Sequence, residues 1–230
     1  MTNNGRSGEE LLLPDNTKYR SILIFGPPGA GKGTLGSFLS SAGSQFHLSS
    51  GDIFRGLSPE SPAGKLYYKY ASKGLLVPDE VTIEIWRNYV SGLIATNRYF
   101  PKQQYLLLDG IPRTLSQAEI LDEYIDVKHI VVLKMENEKE LITRMQRRAS
   151  IEGRADDFDI NVLRTRFEVY HRETEQVLSH YSPDKISTFS AGQKPLEVLR
   201  DVLVKLSEML TFQTDPITLN KADSYTDPRA

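Results

Sequence analysis

The chain contains no cysteine among its 230 residues, which excludes disulfides and any metal site built on thiolates, structural zinc included. An excess of charge of one sign is also missing. Its 28 Lys and Arg against 30 Asp and Glu leave a net charge of −2, so nothing at the level of the whole chain marks a partner made of nucleic acid or a membrane surface. Long apolar runs are absent near the start, where Leu11-Leu12-Leu13 is far too short for a signal peptide or a membrane span. A soluble cytoplasmic protein is the expectation. The histidines are few, and His47, His129, His171 and His180 stand without the spacing of metal ligands.

What is present is concentrated in one motif. Gly26 to Thr34 read GPPGAGKGT, directly after the apolar run Ser21-Ile22-Leu23-Ile24-Phe25. A short strand, a glycine-rich turn and a helix form the setting of a phosphate-binding loop. Glycines let the backbone approach an anion closely, the helix turns its positive end toward it, and Lys32 adds a full charge. The commonest form of this loop places a Ser or Thr directly after the lysine as a Mg²⁺ ligand. Here that position is Gly33 and the hydroxyl follows at Thr34. The metal is therefore expected on nucleotide oxygens and on waters oriented by acidic side chains.

The middle of the chain alternates strand and helix patterns. The candidate strands are 21–25, 46–48, 105–109, 129–134 and 186–189; the candidate helices are 32–41, 78–97, 115–124, 139–148, 161–181 and 195–210. Such alternation predicts an α/β fold, a parallel sheet covered by helices on both faces, with ligands beyond the carboxyl ends of the strands. The two ends, 1–19 and 211–230, are polar and aperiodic and are expected to be disordered extensions around one domain over 20–210.

Four further segments carry candidate site residues. Phe46–Arg55 reads FHLSSGDIFR, ending a strand near Ser50 and Gly51, with Asp52 at a helix start and Arg55 one turn on; a capped helix with a solvated arginine would look the same. Tyr105–Thr114 reads YLLLDGIPRT, and Asp109 at the exit of a buried strand could orient a Mg²⁺-bound water, with Asp52 as a second candidate. The turn Gly110–Pro112 would set Arg113 at the same rim. Arg144–Asp157 reads RMQRRASIEGRADD, with Arg144 and Arg148 one helical turn apart, a loop over Ala149–Gly153, then Arg154 and the pair Asp156-Asp157. Arginines recur at Arg164, Arg166 and Arg172. Phosphoryl transfer between two nucleotides gathers several negative charges, and arginine holds phosphate oxygens with a planar fork that lysine lacks. Finally, Ser190–Val198 reads SAGQKPLEV, a strand-to-helix turn whose backbone could touch a base.

In order and spacing, GPPGAGKGT, HLSSGDIFR, KGLLVPDEVT, LLDGIPRTLSQAE, GRADD and GQKP resemble the adenylate kinase family of nucleoside monophosphate kinases over residues 20–210. The resemblance implies a P-loop NTPase three-layer fold with a central five-stranded parallel sheet, a helical insertion at 49–77 that binds the monophosphate, and a short lid at 149–158. It also implies roles. Gly29, Ala30, Gly31, Lys32, Gly33 and Thr34 would cradle ATP, joined by Arg144, Arg148 and the Gln193–Lys194 turn. Ser50, Arg55, Leu75, Leu76, Val77, Gly110, Ile111, Pro112, Arg113 and Gln117 would surround AMP, and Arg154 and Arg166 would grip the phosphates. Lys32, Arg113, Arg148, Arg154 and Arg166 would be the catalytic set. The expected substrates are ATP, AMP and ADP with Mg²⁺, in a monomer.

Three departures qualify the resemblance. Ser50 replaces a typical threonine of the AMP-selective members, where the uridylate–cytidylate kinases carry alanine. Ile111 replaces the phenylalanine of the DGFPR motif. The span from Asp157 to Arg166 is one residue longer than expected, so Arg164 is the alternative to Arg166. The rival functions are a UMP/CMP kinase of the same fold and a nucleotide-binding module without catalysis.

Overall fold

The computed structural model describes residues 18–43, 45–153 and 157–210. Five strands run in parallel in the order β2-β3-β1-β4-β5. They are β1 (Tyr19–Phe25), β2 (Phe46–Ser49), β3 (Leu106–Asp109), β4 (Ile125–Lys134) and β5 (Ile186–Ser190). The expected parallel sheet is thus present. The chain leaves central β1 for β2 and β3 on one side and then crosses to β4 and β5 on the other. This reversal opens a crevice at the carboxyl end of β1, the place where open parallel sheets bind ligands.

The residues of the central strands sort strictly by face. Leu23, Phe25, Leu106, Leu108, Ile130 and Val132 enter one core, while Ile22, Ile24, Leu107, Val131 and Leu133 enter the other. Period-two alternation with apolar residues at every position is what a strand buried on both faces requires. The first core is closed by α4 (Asp79–Ala95) through Trp86, Val90 and Leu93, and by α5 (Leu115–Leu121). The second takes Leu35 and Leu39 of α1 (Lys32–Gly43), Leu141 and Met145 of α6 (Glu138–Glu152), Leu163 and Phe167 of α7 (Ile160–Val169), and Val202 and Leu206 of α8 (Pro195–Leu210). Two short helices, α2 (Ser50–Arg55) and α3 (Pro62–Ala71), lie between β2 and α4. Ser61 starts α3 by accepting from the Gly64 amide at 3.0 Å, with Pro62 in the first turn.

Several boundaries differ from the sequence pattern, each for a local reason. β1 begins at Tyr19, whose ring is 3% exposed and packs edge-on against Trp86 and Tyr99. Residues 149–152, expected as loop, continue α6, because Ala149 is fully buried beneath the helix. The helix stops at Gly153, which takes the left-handed conformation at φ +66° and forms a glycine C-cap. The long helix expected over 161–181 is divided: α7 passes into a π-helical turn at Tyr170–Thr174 and then a 3₁₀ helix at Glu175–His180. No helix among the described residues is long and apolar enough to cross a membrane.

Candidate active site

The glycine-rich loop leaves β1 and enters α1 at Lys32. Gly29 holds φ +83°, and a Cβ there would lie 2.8 Å from the Leu141 carbonyl oxygen, so both the conformation and the contact with α6 demand glycine. Lys32 folds back over its own loop, with Nζ donating to the carbonyls of Gly26 at 2.8 Å and Pro27 at 3.1 Å. Burial pushes its pKa down to about 8; Asp109 opposes this, and Arg113 and Arg148 reinforce it. Asp109 ends β3 opposite Ile24 of β1, is 7% exposed, and stands beside the first turn of α1. His47 Nε2 lies 4.0 Å from Asp109 Oδ2, and burial lowers the pKa of that imidazole against the pull of Asp109 and Asp52.

The turn after β3 builds a second centre. The Gly110 carbonyl accepts from Ser50 Oγ at 2.6 Å and from Arg113 Nε at 2.7 Å, tying the start of α2 to the arginine. The Arg113 amide donates to Gln117 Oε1 at 2.8 Å, and its carbonyl accepts from Thr174 Oγ1 at 3.1 Å. Gln117 Nε2 donates in turn to Asp79 at 2.7 Å, at the head of α4. Arg113 is thereby fixed at amide, carbonyl and side chain. Burial lowers its pKa, as do Arg166 and Arg55, while Asp109 raises it.

A third cluster joins α6 and α7. Asp157 has no exposed side-chain surface and accepts from Arg148 Nε and Nη2 at 2.9 and 2.6 Å and from Arg166 Nη1 at 2.5 Å. The sequence shows the Asp156-Asp157 pair but gives no reason to bury one of them. Arg144 on α6 donates to the Ala191 carbonyl at 2.9 Å and pairs with Glu140 at 2.7 Å.

These three groups face one cavity of about 940 Å³ at the carboxyl ends of the strands. Gly29, Ala30, Gly31, Lys32, Gly33 and Thr34 line it, with Arg144, Arg148 and Gln193. So do Ser50, Arg55, Leu75, Leu76 and Val77, with Gly110, Pro112, Arg113, Gln117 and Arg166. Asp52 and Asp109 reach it as well, although Asp52 is paired with Arg55 at 2.5 Å. Arg166 lines the cavity whereas Arg164 is exposed and does not. Ile111 is not in the wall; at 2% exposure it fills the core beneath the turn. Lys194 is not in the wall either: its amide donates to Glu197 at 2.9 Å and its carbonyl starts α8. Arg154 lies outside the described residues. Sequence reasoning missed Phe54, Tyr67, Thr174 and the clamp at Asp157, since each acts through contacts between distant segments. Among the described lining residues, seven Lys and Arg face three Asp and Glu, in a chain whose net charge is −2. This segregation of charge marks a polyanion site.

A phosphate loop at the centre of a parallel sheet, sharing one cavity with a second arginine centre, defines a P-loop protein built for phosphorylated ligands. Comparison with known proteins narrows the class. The adenylate kinase family model matches residues 24–186. An adenylate kinase of Flavobacterium psychrophilum is 35% identical over 199 residues, covering 83% of this chain and 97% of that protein. One from Pseudarthrobacter chlorophenolicus is 37% identical over 78% of this chain and 92% of its own length, and one from Thermobifida fusca is 40% identical over 70% and 83%. The chain belongs to the adenylate kinase family.

Proposed function

We propose that the chain catalyses MgATP + AMP ⇌ 2 ADP, with ATP on the Gly29–Thr34 loop and AMP between α2, α3 and Arg113. The observation that carries this reading is the shared cavity, whose wall holds both Lys32 of the phosphate loop and Arg113 among an excess of cationic side chains. An AMP phosphate oxygen attacks the γ-phosphorus in line; the new P–O bond forms as the bond to the β-phosphate oxygen breaks. The nucleophile is already anionic, so no general base is needed. Lys32, Arg113, Arg148 and Arg166 stabilise and align the charges, and Arg154 is placed with them on the family pattern.

Bound Mg²⁺ supplies neutralisation of phosphate charge. The residues present fit it: Asp109 turns a nearly buried carboxylate toward the loop, and Asp52 is the weaker candidate because Arg55 occupies it. Both would act through waters. Residues 149–158 are proposed as a short lid that excludes water from the transfer, and Gly153 as its hinge. The enzyme is proposed to act as a cytoplasmic monomer. Replacing Arg113 with alanine should lower turnover by about 10²–10³ with the fold intact by circular dichroism. Near-normal turnover in that variant contradicts the assignment.

A further inference from the structure

The insertion between β2 and α4 contains an aromatic pair that the roles above leave unused. Phe54 lies in the last turn of α2 and is 8% exposed; its ring stacks on Tyr67 of α3 at 5.3 Å between centroids and 18° between planes. Tyr68 meets the Tyr67 ring edge-on at 5.2 Å and is itself 44% exposed. Tyr67 and Ala71 are one helical turn apart, and both line the cavity; Tyr68 does not. The inner face of α3 therefore presents a large ring at one level and a methyl group one turn on. The Tyr67 phenol lies within electrostatic range of the Arg113 guanidinium. Arg55, which closes α2, lines the same part of the wall.

A tyrosine whose purpose was to fill the core would be enclosed on all sides. Tyr67 is only half-buried, stacks on the buried Phe54 ring, and lines the same cavity as Arg55 and Arg113. A ring braced in this way offers contact area at small entropic cost, because only two torsions need fixing. Ala71 shares the cavity wall with Leu75, Leu76 and Val77.

We propose that Tyr67 is a substrate-contacting residue of the monophosphate site, its ring walling the ribose and its hydroxyl donating to the phosphate held by Arg55 and Arg113. This rests on the reading of that side of the cavity as the AMP site. The test compares full-length wild type, Tyr67→Phe and Tyr67→Ala by steady-state kinetics and by calorimetric titration with AMP alone. Loss of a hydrogen bond to a charged group should raise KM for AMP roughly tenfold in Tyr67→Phe, and Tyr67→Ala should raise it further. KM for ATP should stay within twofold in both, a split that general loosening of the fold does not produce. The calorimetric Kd for AMP should move with KM. A Tyr67→Phe protein with wild-type KM and Kd for AMP overturns the hydroxyl contact, and a Tyr67→Ala protein with wild-type values overturns the proposal altogether. A wild type that neither binds nor phosphorylates AMP overturns the functional reading and this inference together, so the two failures are distinguishable.

Discussion

At the scale of single residues, the loop lysine ties the phosphate loop to itself. Lys32 donates to two carbonyls of its own loop, yet burial still brings its pKa to about 8. Between that value and the ordinary 10.5, the unfolded chain carries a proton that the folded chain lacks. The stability contribution of this group therefore rises with pH through that window, and the cost of its buried charge is present in full below it. A polyphosphate beside Nζ reverses the cause and raises the pKa again. ATP binding should take up about half a proton at pH 8 and almost none at pH 6. Calorimetry in two buffers of different ionisation enthalpy measures this directly, and equal uptake at both pH values contradicts it.

At the scale of elements, the arginines are useful because helices bring them together. Asp157 links α6 to α7 by accepting from Arg148 and Arg166. Both arginines keep some exposure, at 30% and 20%, so Asp157→Asn should cost about 2 kcal/mol, less than a fully buried pair would. That corresponds to a fall in Tm of roughly 4–8 °C for a domain of this size. Turnover should fall at least tenfold, since the two guanidinium groups lose the carboxylate that holds them together; an unchanged Tm with unchanged turnover contradicts this. The elements themselves were largely legible. Ile22–Phe25, Leu106–Leu108 and Ile130–Leu133 read as strands because doubly buried strands are apolar throughout. The π-helical turn at Tyr170–Thr174 was not legible, because five residues are too few for a change of period to stand out from the helical pattern around them. Nor was the continuation of α6 through residue 152: Ala149, Ser150 and Ile151 carry no mark that tells a helix's last turn from a loop.

At the scale of the molecule, a nearly neutral chain builds one cavity in which cationic side chains outnumber anionic ones. The sequence displayed the members of that cavity as six separated motifs, and the parallel sheet brings most of them to one edge. What it could not display is which neighbours are turned inward. Arg166 and Arg164 differ by two positions on α7, and only the first reaches the cavity. Ile111 and Lys194 lie inside motifs, yet the first serves the core and the second the start of α8. The backing of Tyr67 by Phe54 depends on α2 meeting α3, a contact with no signature in either segment alone.

The central claim is that the cavity transfers a phosphoryl group from MgATP to AMP. The most direct measurement is ADP formation from MgATP with AMP, UMP, CMP and GMP assayed side by side. Strong preference for AMP is the predicted result, with Ser50 standing where threonine is typical. Preference for UMP or CMP contradicts the substrate assignment, and transfer to none of the four contradicts the account of the site.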